Sequence, residues 1–181
     1  MSDWKTLSSE VVYETPWIKV FRDEVLNQNS QPLTYSYMKV QNASVFVVAL
    51  NGSNEALLQH VFRYTVGKRF WEIPAGYTNP DEDIIAAGKR ELQEETGYTS
   101  DDWQYLGCIY QVLGVGNVPC HIVLARNVVK AGGPTDKDED IESRTFKSLD
   151  EIEHMIIDNT LIDSPVITAL YKAKLHIQKE D

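Results

Sequence analysis

The sequence predicts an α+β protein: a mixed sheet packed between helices, preceded by a small antiparallel sheet. Three observations predict it. The first half is rich in Val, Ile, Tyr, Phe and Thr, in short runs separated by Asn, Gln, Ser and Gly, the composition of hairpin-linked strands. A single long helical stretch at residues 82–96 then interrupts strand-like runs on either side. Two more helical segments close the chain from Ser148 onward. Strands before and after an isolated helix suggest a mixed sheet covered by helices.

Taken in order, residues 10–14, 17–25, 33–40, 44–50 and 56–62 read as strands, with Asn51-Gly52 as a hairpin turn. In the helical stretch Asp81 is the expected N-cap, and Gly97 suits the left-handed position just past a helix end. Strands follow near residues 104–111, 118–128 and 143–146. Ser148-Leu149-Asp150-Glu151 has a capping-box pattern that opens the next helix. Asp163-Ser164-Pro165 starts the last helix, with Val166, Leu170 and Leu175 expected to face inward.

The long helix is odd in its charge. A helix C-terminus favours cations, yet Glu91, Glu94 and Glu95 crowd the last turns, each costing a few tenths of a kcal/mol or more. Projected at ~100° per residue, Glu91 and Glu95 fall on the side of Ile84, and Lys89 and Gln93 lie opposite. These carboxylates therefore face the body of the protein, where a hard divalent cation with oxygen ligands would relieve both desolvation and repulsion. A solvated acidic face accounts for the same three residues. On the glutamates alone the two readings stand level.

Composition narrows the partners. The 181 residues carry 17 basic and 27 acidic side chains, a net charge of −10. That argues against a general nucleic-acid or anionic-membrane binder. A polyanionic substrate then needs local help from metal and from placed cations such as Arg63, Lys68 and Arg69. Met1-Ser2-Asp3-Trp4 shows no charged-then-apolar leader, and no apolar run approaches the ~18–20 residues that span a bilayer; a cytoplasmic location is expected. Cys108 and Cys120 have neither CxxC nor zinc-ligand spacing and are expected to be reduced, packed thiols. His60, His121, His154 and His176 do not cluster.

Register adds what charge leaves open. Gly76, five residues, Glu82, seven residues, then Arg90-Glu91-Leu92-Gln93-Glu94-Glu95-Thr96-Gly97-Tyr98 resembles the Nudix box, with its seven fixed letters and both bulky positions present. The resemblance implies a Nudix-type α/β/α sandwich whose loop-helix-loop binds Mg2+ or Mn2+. It implies Glu91 and Glu95 as core metal ligands, Glu94 beside them, and the Ala75 carbonyl completing the first site. Glu82 and Arg90 would brace the loop through an ion pair, with Gly76 and Gly97 structural. The flank Arg63-Tyr64-Thr65-Val66-Gly67-Lys68 and Trp71-Glu72-Ile73-Pro74-Ala75-Gly76 looks like the ADP-ribose pyrophosphatase branch. Residues 11–40 are similar to that branch's N-terminal sheet, which pairs or swaps between two subunits, so a homodimer is implied. The expected division is 1–42 for the N-terminal strands and 43–181 for the hydrolase domain.

The implied activity is metal-dependent hydrolysis of the pyrophosphate bond in ADP-ribose or a related nucleoside diphosphate sugar. The products would be AMP, or another nucleoside monophosphate, and a sugar phosphate. The family pattern places the general base on a loop outside the box, which the acidic run at 136–142 fits. Glu139 is favoured because Glu139-x-Ile141-Glu142 resembles the base-bearing segment, with Glu142, Asp138 and Glu94 as alternatives. Arg63 is the expected cation for the substrate phosphates, since a guanidinium fork matches two phosphate oxygens. Glu72 is read as orienting Arg63, supporting the metals, or as an ordinary strand-end carboxylate. Trp17, Trp71 and Tyr110 are candidate purine stackers, although strand aromatics usually belong to a core. At Gln111-Val112-Leu113-Gly114-Val115-Gly116 the chain departs from the branch: a Ser-Pro-Gly turn is usual there, and Leu113 stands about where its proline is expected. Other nucleoside diphosphate sugars therefore stay open. A nucleotide-sugar binding or regulatory protein without turnover is the alternative reading; the intact glutamate set favours the enzyme.

Overall fold

The computed structural model describes residues 3–133 and 140–180. Among these the chain runs β1 (Lys5–Glu14), β2 (Ile18–Leu26), β3 (Pro32–Val40), β4 (Ser44–Ala49), β5 (Ala56–Arg63), β6 (Lys68–Glu72) and β7 (Ala75–Tyr77). Then come α1 (Ile84–Thr96), β8 (Tyr98–Thr99), β9 (Asp102–Tyr110), β10 (Gly116–Asn117), β11 (Pro119–Arg126), β12 (Val129–Lys130) and β13 (Ile141–Lys147). Helices α2 (Leu149–Ile157) and α3 (Ser164–Ile177) close the chain. None of the described helices is long and apolar enough to cross a membrane.

The chain divides into two units, Met1–Ala43 with Tyr110–Pro119, and Ser44–Ile109 with Cys120–Asp181. In the first, the strand order is β1-β2-β3-β10. β1, β2 and β3 are antiparallel, and β10 runs parallel to β3 with Gly116 opposite Met38. The segment around Leu113 is built into this unit: Tyr35 Oη donates to the Gly114 carbonyl at 3.1 Å, and the Met38 N–H to the Val115 carbonyl at 3.0 Å. β1 is a ten-residue edge strand whose residues are all exposed, and it begins five residues before the expected strand.

The second unit shows why β4 reads as a continuous apolar run. Val45, Val47 and Ala49 pack with Ala87 and Leu92 of α1, whereas Phe46, Val48 and Leu50 pack with Val166, Ala169 and Leu170 of α3. Strand side chains alternate between faces, so a strand covered on both sides must be apolar throughout. The sheet order is β7-β4-β11-β9, with β4 parallel to β11 and antiparallel to β7. A second, antiparallel sheet has the order β13-β5-β6. The mixed sheet between α1 and α3 is the expected α/β/α sandwich.

Local corrections have physical causes. Helix α1 starts at Ile84, and its N-cap is Asp83, whose Oδ1 accepts from the Ile85 and Ala86 N–H groups at 3.0 Å each. Asp81, the expected cap, has φ 60°, a left-handed conformation that belongs to the preceding turn. Gly97 does take the left-handed position, at φ 70°; a side chain there would bring Cβ to 2.3 Å from the Gly132 carbonyl oxygen. The hairpin after β4 does turn through Asn51-Gly52, closed by the Asn54 N–H donating to the Asn51 carbonyl at 3.0 Å; its left-handed residue is Asn54, φ 59°, and not Gly52, and Asn51 Oδ1 accepts from the Ser53 and Glu55 N–H groups. Ser148 and Glu151 complete the capping box. Leu175 is 49% exposed. The inward stripe of α3 is Val166, Ala169, Leu170 and Ala173, and five residues beyond Leu170 is ~140° around the helix. Both cysteines are free, but Cys108 is exposed and only Cys120 is packed.

Candidate active site

Helix α1 presents its acidic end to the sheet. Glu91 is 8% and Glu95 2% exposed, on the face that carries Ala87 and Leu92, while Lys89 and Gln93 are exposed on the other. Glu95 Oε1 accepts from the Ala75 N–H at 3.3 Å, and its Oε2 accepts from Gln59 Nε2 at 2.5 Å. Burial pushes the Glu91 carboxyl above the usual carboxylate range, against the opposing pull of Arg90, and the Glu94 and Glu82 charges add to the rise.

One guanidinium ties this end to the loop before it. Arg90 donates from Nε and Nη2 to the two Glu82 oxygens, each at 3.0 Å, and from Nη2 to the Tyr77 carbonyl at 2.9 Å. Its Nη1 donates to Glu91 Oε1 at 2.6 Å and to Glu94 Oε2 at 3.2 Å. The expected Glu82–Arg90 brace is present, and Arg90 also bridges two of the box glutamates. Those hydrogen bonds hold the Glu82 carboxyl below its ordinary range and raise the Arg90 pKa further. Glu82 also accepts from the Asn79 N–H at 2.8 Å. Gly76 leaves the space that the Glu91 carboxylate fills: a Cβ there would lie 2.2 Å from Glu91 Cδ.

The donor set suits a hard cation. Carboxylate oxygens are the donors such an ion takes, and two of the three glutamates, Glu91 and Glu94, share a cationic donor in Arg90 Nη1. Among the described residues, however, no three acidic, histidine or cysteine side chains form a ready-made cage. Glu91 and Glu94 meet through Arg90, while Glu95 is held by Ala75 and Gln59.

Other candidates fall as follows. Arg63, at the end of β5, donates from Nε and Nη2 to the two oxygens of buried Glu72, at 2.8 and 2.5 Å. Glu72 thus fixes the guanidinium plane. Asp163, at the start of α3, has its pKa raised by burial first and by the Glu72 charge second. Arg69 binds Asp140 through Oδ1 at 2.7 Å and through its carbonyl at 2.9 Å, and Lys68 is exposed. Glu139 and Asp138 lie outside the described residues. Glu142 is exposed and hydrogen-bonded to His60 Nδ1 at 2.7 Å. Trp71 is half-buried and stacked on His60, ring centres 4.7 Å apart. In the first unit Trp17 is 65% exposed between β1 and β2. There too, Tyr110 lines a cavity of about 280 Å³ with Tyr35, Tyr37, Leu113, Gly116 and Asn117.

Three residues at this site escape a reading of the sequence. Lys130 supplies a cation that the last turn of α1 lacks: its Nζ donates to the Thr96 carbonyl at 2.7 Å and sits 4.6 Å from the Tyr98 ring centre. Gln59 holds Glu95 and in turn accepts from Arg144 Nε at 2.9 Å. A polar residue inside the apolar run Ala56-Leu57-Leu58-Gln59 is the one signal that could have drawn attention to it.

The sandwich, with an acidic helix end braced against a glycine turn, defines a class of domain, and comparison with known proteins gives its family. A profile of the NUDIX domain matches residues 40–170, and one of the nucleoside diphosphate sugar hydrolase N-terminal domain matches residues 4–38. The chain belongs to the NUDIX family. It is 27% identical to a methanol dehydrogenase activator of Bacillus methanolicus, over 94% of this chain and 92% of that protein. It is also 27% identical to an ADP-ribose pyrophosphatase of Mycobacterium tuberculosis, over 77% of this chain and 68% of that one. The fold matches a crystal structure of an ADP compounds hydrolase with a TM-score of 0.87 at 17% identity, covering 98% of this chain and 95% of that one.

Proposed function

We propose that this chain hydrolyses the pyrophosphate bond of ADP-ribose or a related nucleoside diphosphate sugar, releasing AMP or another nucleoside monophosphate and a sugar phosphate. The observation that carries this reading is the burial of Glu91 and Glu95 on the sheet-facing side of α1. Two desolvated carboxylates are costly in a domain built for stability alone, and they suit a site that receives a divalent cation. Glu91, Glu94, Glu95 and the Ala75 carbonyl would hold it, Mg2+ first and Mn2+ as a substitute. When bound, such an ion neutralises charge on the diphosphate oxygens.

The chain's own residues do the rest. Gln59 and the Ala75 N–H hold the Glu95 carboxylate, and Arg90 holds Glu91 and Glu94. Glu72 orients Arg63 by accepting from Nε and Nη2 of its guanidinium, and Arg63 is assigned to the substrate phosphates. Glu139 takes the proton of the attacking water, with Glu142, Asp138 and Glu94 as the alternative bases. Trp17 is assigned to the base of the nucleotide.

Product chromatography with Mg2+ and then Mn2+, on ADP-ribose, ADP-glucose, GDP-mannose and NADH, tests the activity. Conversion of ADP-ribose to AMP and ribose 5-phosphate is expected. Cleavage of another sugar nucleotide instead moves specificity to the segment around Leu113. Tight binding of any of them without turnover supports a binding protein and overturns the enzyme. Assayed side by side at saturating metal, Glu139→Gln is expected to lower kcat by about 10²-fold or more, and Glu142→Gln by far less. The reverse order exchanges their roles.

The N-terminal strands support a homodimer. β1 leaves Leu7, Val11, Val12 and Tyr13 exposed on an edge strand, and an unpaired apolar edge of this length invites another strand. Light scattering at micromolar concentration should return twice the chain mass of 20.6 kDa. A monomeric mass removes the dimer.

A further inference from the structure

We propose that Gln59 and Arg144 act together as positioning residues, setting the Glu95 carboxylate for metal binding; the proposal rests on the reading of Glu95 as a metal ligand. Gln59 is 1% exposed and sits in β5. A side-chain amide buried at such a position loses its water, and every hydrogen bond it recovers must come from the protein. Both ends are satisfied. Nε2 donates to Glu95 Oε2 at 2.5 Å, and Oε1 accepts from Arg144 Nε at 2.9 Å.

The chemistry of the three groups fixes the direction of this chain. A guanidinium only donates, and an ionised carboxylate only accepts. The amide oxygen must therefore face Arg144 and its NH2 must face Glu95, so the amide cannot flip without losing both contacts. The positive charge of Arg144 polarises Gln59 along the axis that ends on Glu95 Oε2. With Oε1 held by the Ala75 N–H at 3.3 Å, the plane of the carboxylate is fixed before any ion arrives. Sheet register places the pair, since Arg144 of β13 stands directly opposite Gln59 of β5. A ligating carboxylate is oriented by the groups hydrogen-bonded behind it, and removing such a group costs about 10–100-fold in metal affinity.

The test is Mn2+ binding, by calorimetry and by the electron paramagnetic resonance of free Mn2+, with melting temperature measured alongside. Gln59→Leu is expected to weaken Mn2+ binding about ten-fold or more. Arg144→Met should weaken it in the same direction by less. The double variant should bind no more weakly than Gln59→Leu, because Arg144 acts through the amide. Apparent metal affinity should fall more than kcat at saturating metal. Arg144→Met, on a half-buried side chain, carries the test if Gln59→Leu does not fold. Mn2+ affinity within two-fold of wild type in a folded Gln59→Leu, or in Arg144→Met should Gln59→Leu not fold, overturns the proposal and leaves the pair a stabilising contact only, while Glu95→Gln still loses the ion. If Glu95→Gln binds Mn2+ as tightly as wild type, the metal-ligand reading itself fails, and the proposal with it.

Discussion

Replacing Glu95 with glutamine is expected to lower turnover by about 10²–10³-fold, the loss typical when one electrostatic partner of a transition state is removed, while the protein stays folded. The reason lies in what Glu95 touches. Its two oxygens accept from Gln59 and from the Ala75 N–H, and a glutamine in its place can satisfy at most one of those donors. That mismatch costs about 1–3 kcal/mol. Against it stands relief of a nearly fully buried carboxylate, whose desolvation is worth several kcal/mol. The two terms oppose each other, so the melting temperature should hold or rise while activity collapses. Steady-state rates, a Mg2+ titration and thermal unfolding followed by circular dichroism check both halves. Full turnover with an unchanged metal requirement would take Glu95 out of the ligand set.

That opposition also explains which parts of the site the sequence made legible. Gly97 and the Ser148 capping box were readable because each is decided within one helical turn, by a conformation or a cap that few residues provide. The inward turn of Glu91 and Glu95 was readable because helical period alone sets it. Asp83 displaced Asp81 as N-cap because Glu82 is drawn out of the helix by Arg90 and Asn79, a competition that propensities do not contain. The cations that answer the acidic helix end came from elsewhere. Lys130 reaches Thr96 across 34 residues, and Arg144 reaches Gln59 across 85. Such pairings follow from strand order and register, and β12 and β6 were themselves not foreseen. An acidic helix end needs a cation, and a metal ion is one answer to that need. The structure supplies Arg90 and Lys130 as well, so the case for the ion rests on Glu91 and Glu95 being buried, more than on charge repulsion along the helix.

Replacing Gly76 with alanine is the complementary experiment, because it leaves every ligand in the sequence and moves one of them. Gly76 lies in β7 opposite Val45, without a positive φ, so the backbone accepts an alanine. The added Cβ would come to 2.2 Å from Glu91 Oε1 and 2.3 Å from Oε2, far inside van der Waals contact. The atoms in the way are the far end of a flexible side chain, so the carboxylate swings aside and the sheet stays in place. Stability should change by no more than about 1–2 kcal/mol, the scale of a modest steric adjustment. Chemistry should suffer far more. A ligand displaced by about 1 Å can cost on the order of 10²-fold in rate, and the Mg2+ needed for half-maximal rate should rise with it. Arg90 amplifies the effect, because its Nη1 holds Glu91 and Glu94 together and must release or follow the moving carboxylate. Rates at increasing Mg2+, set against the melting temperature, separate the outcomes. A variant that melts early at unchanged specific activity would make Gly76 a folding residue. Wild-type rate, metal requirement and stability together would mean that the carboxylate position seen here is not the one used in turnover.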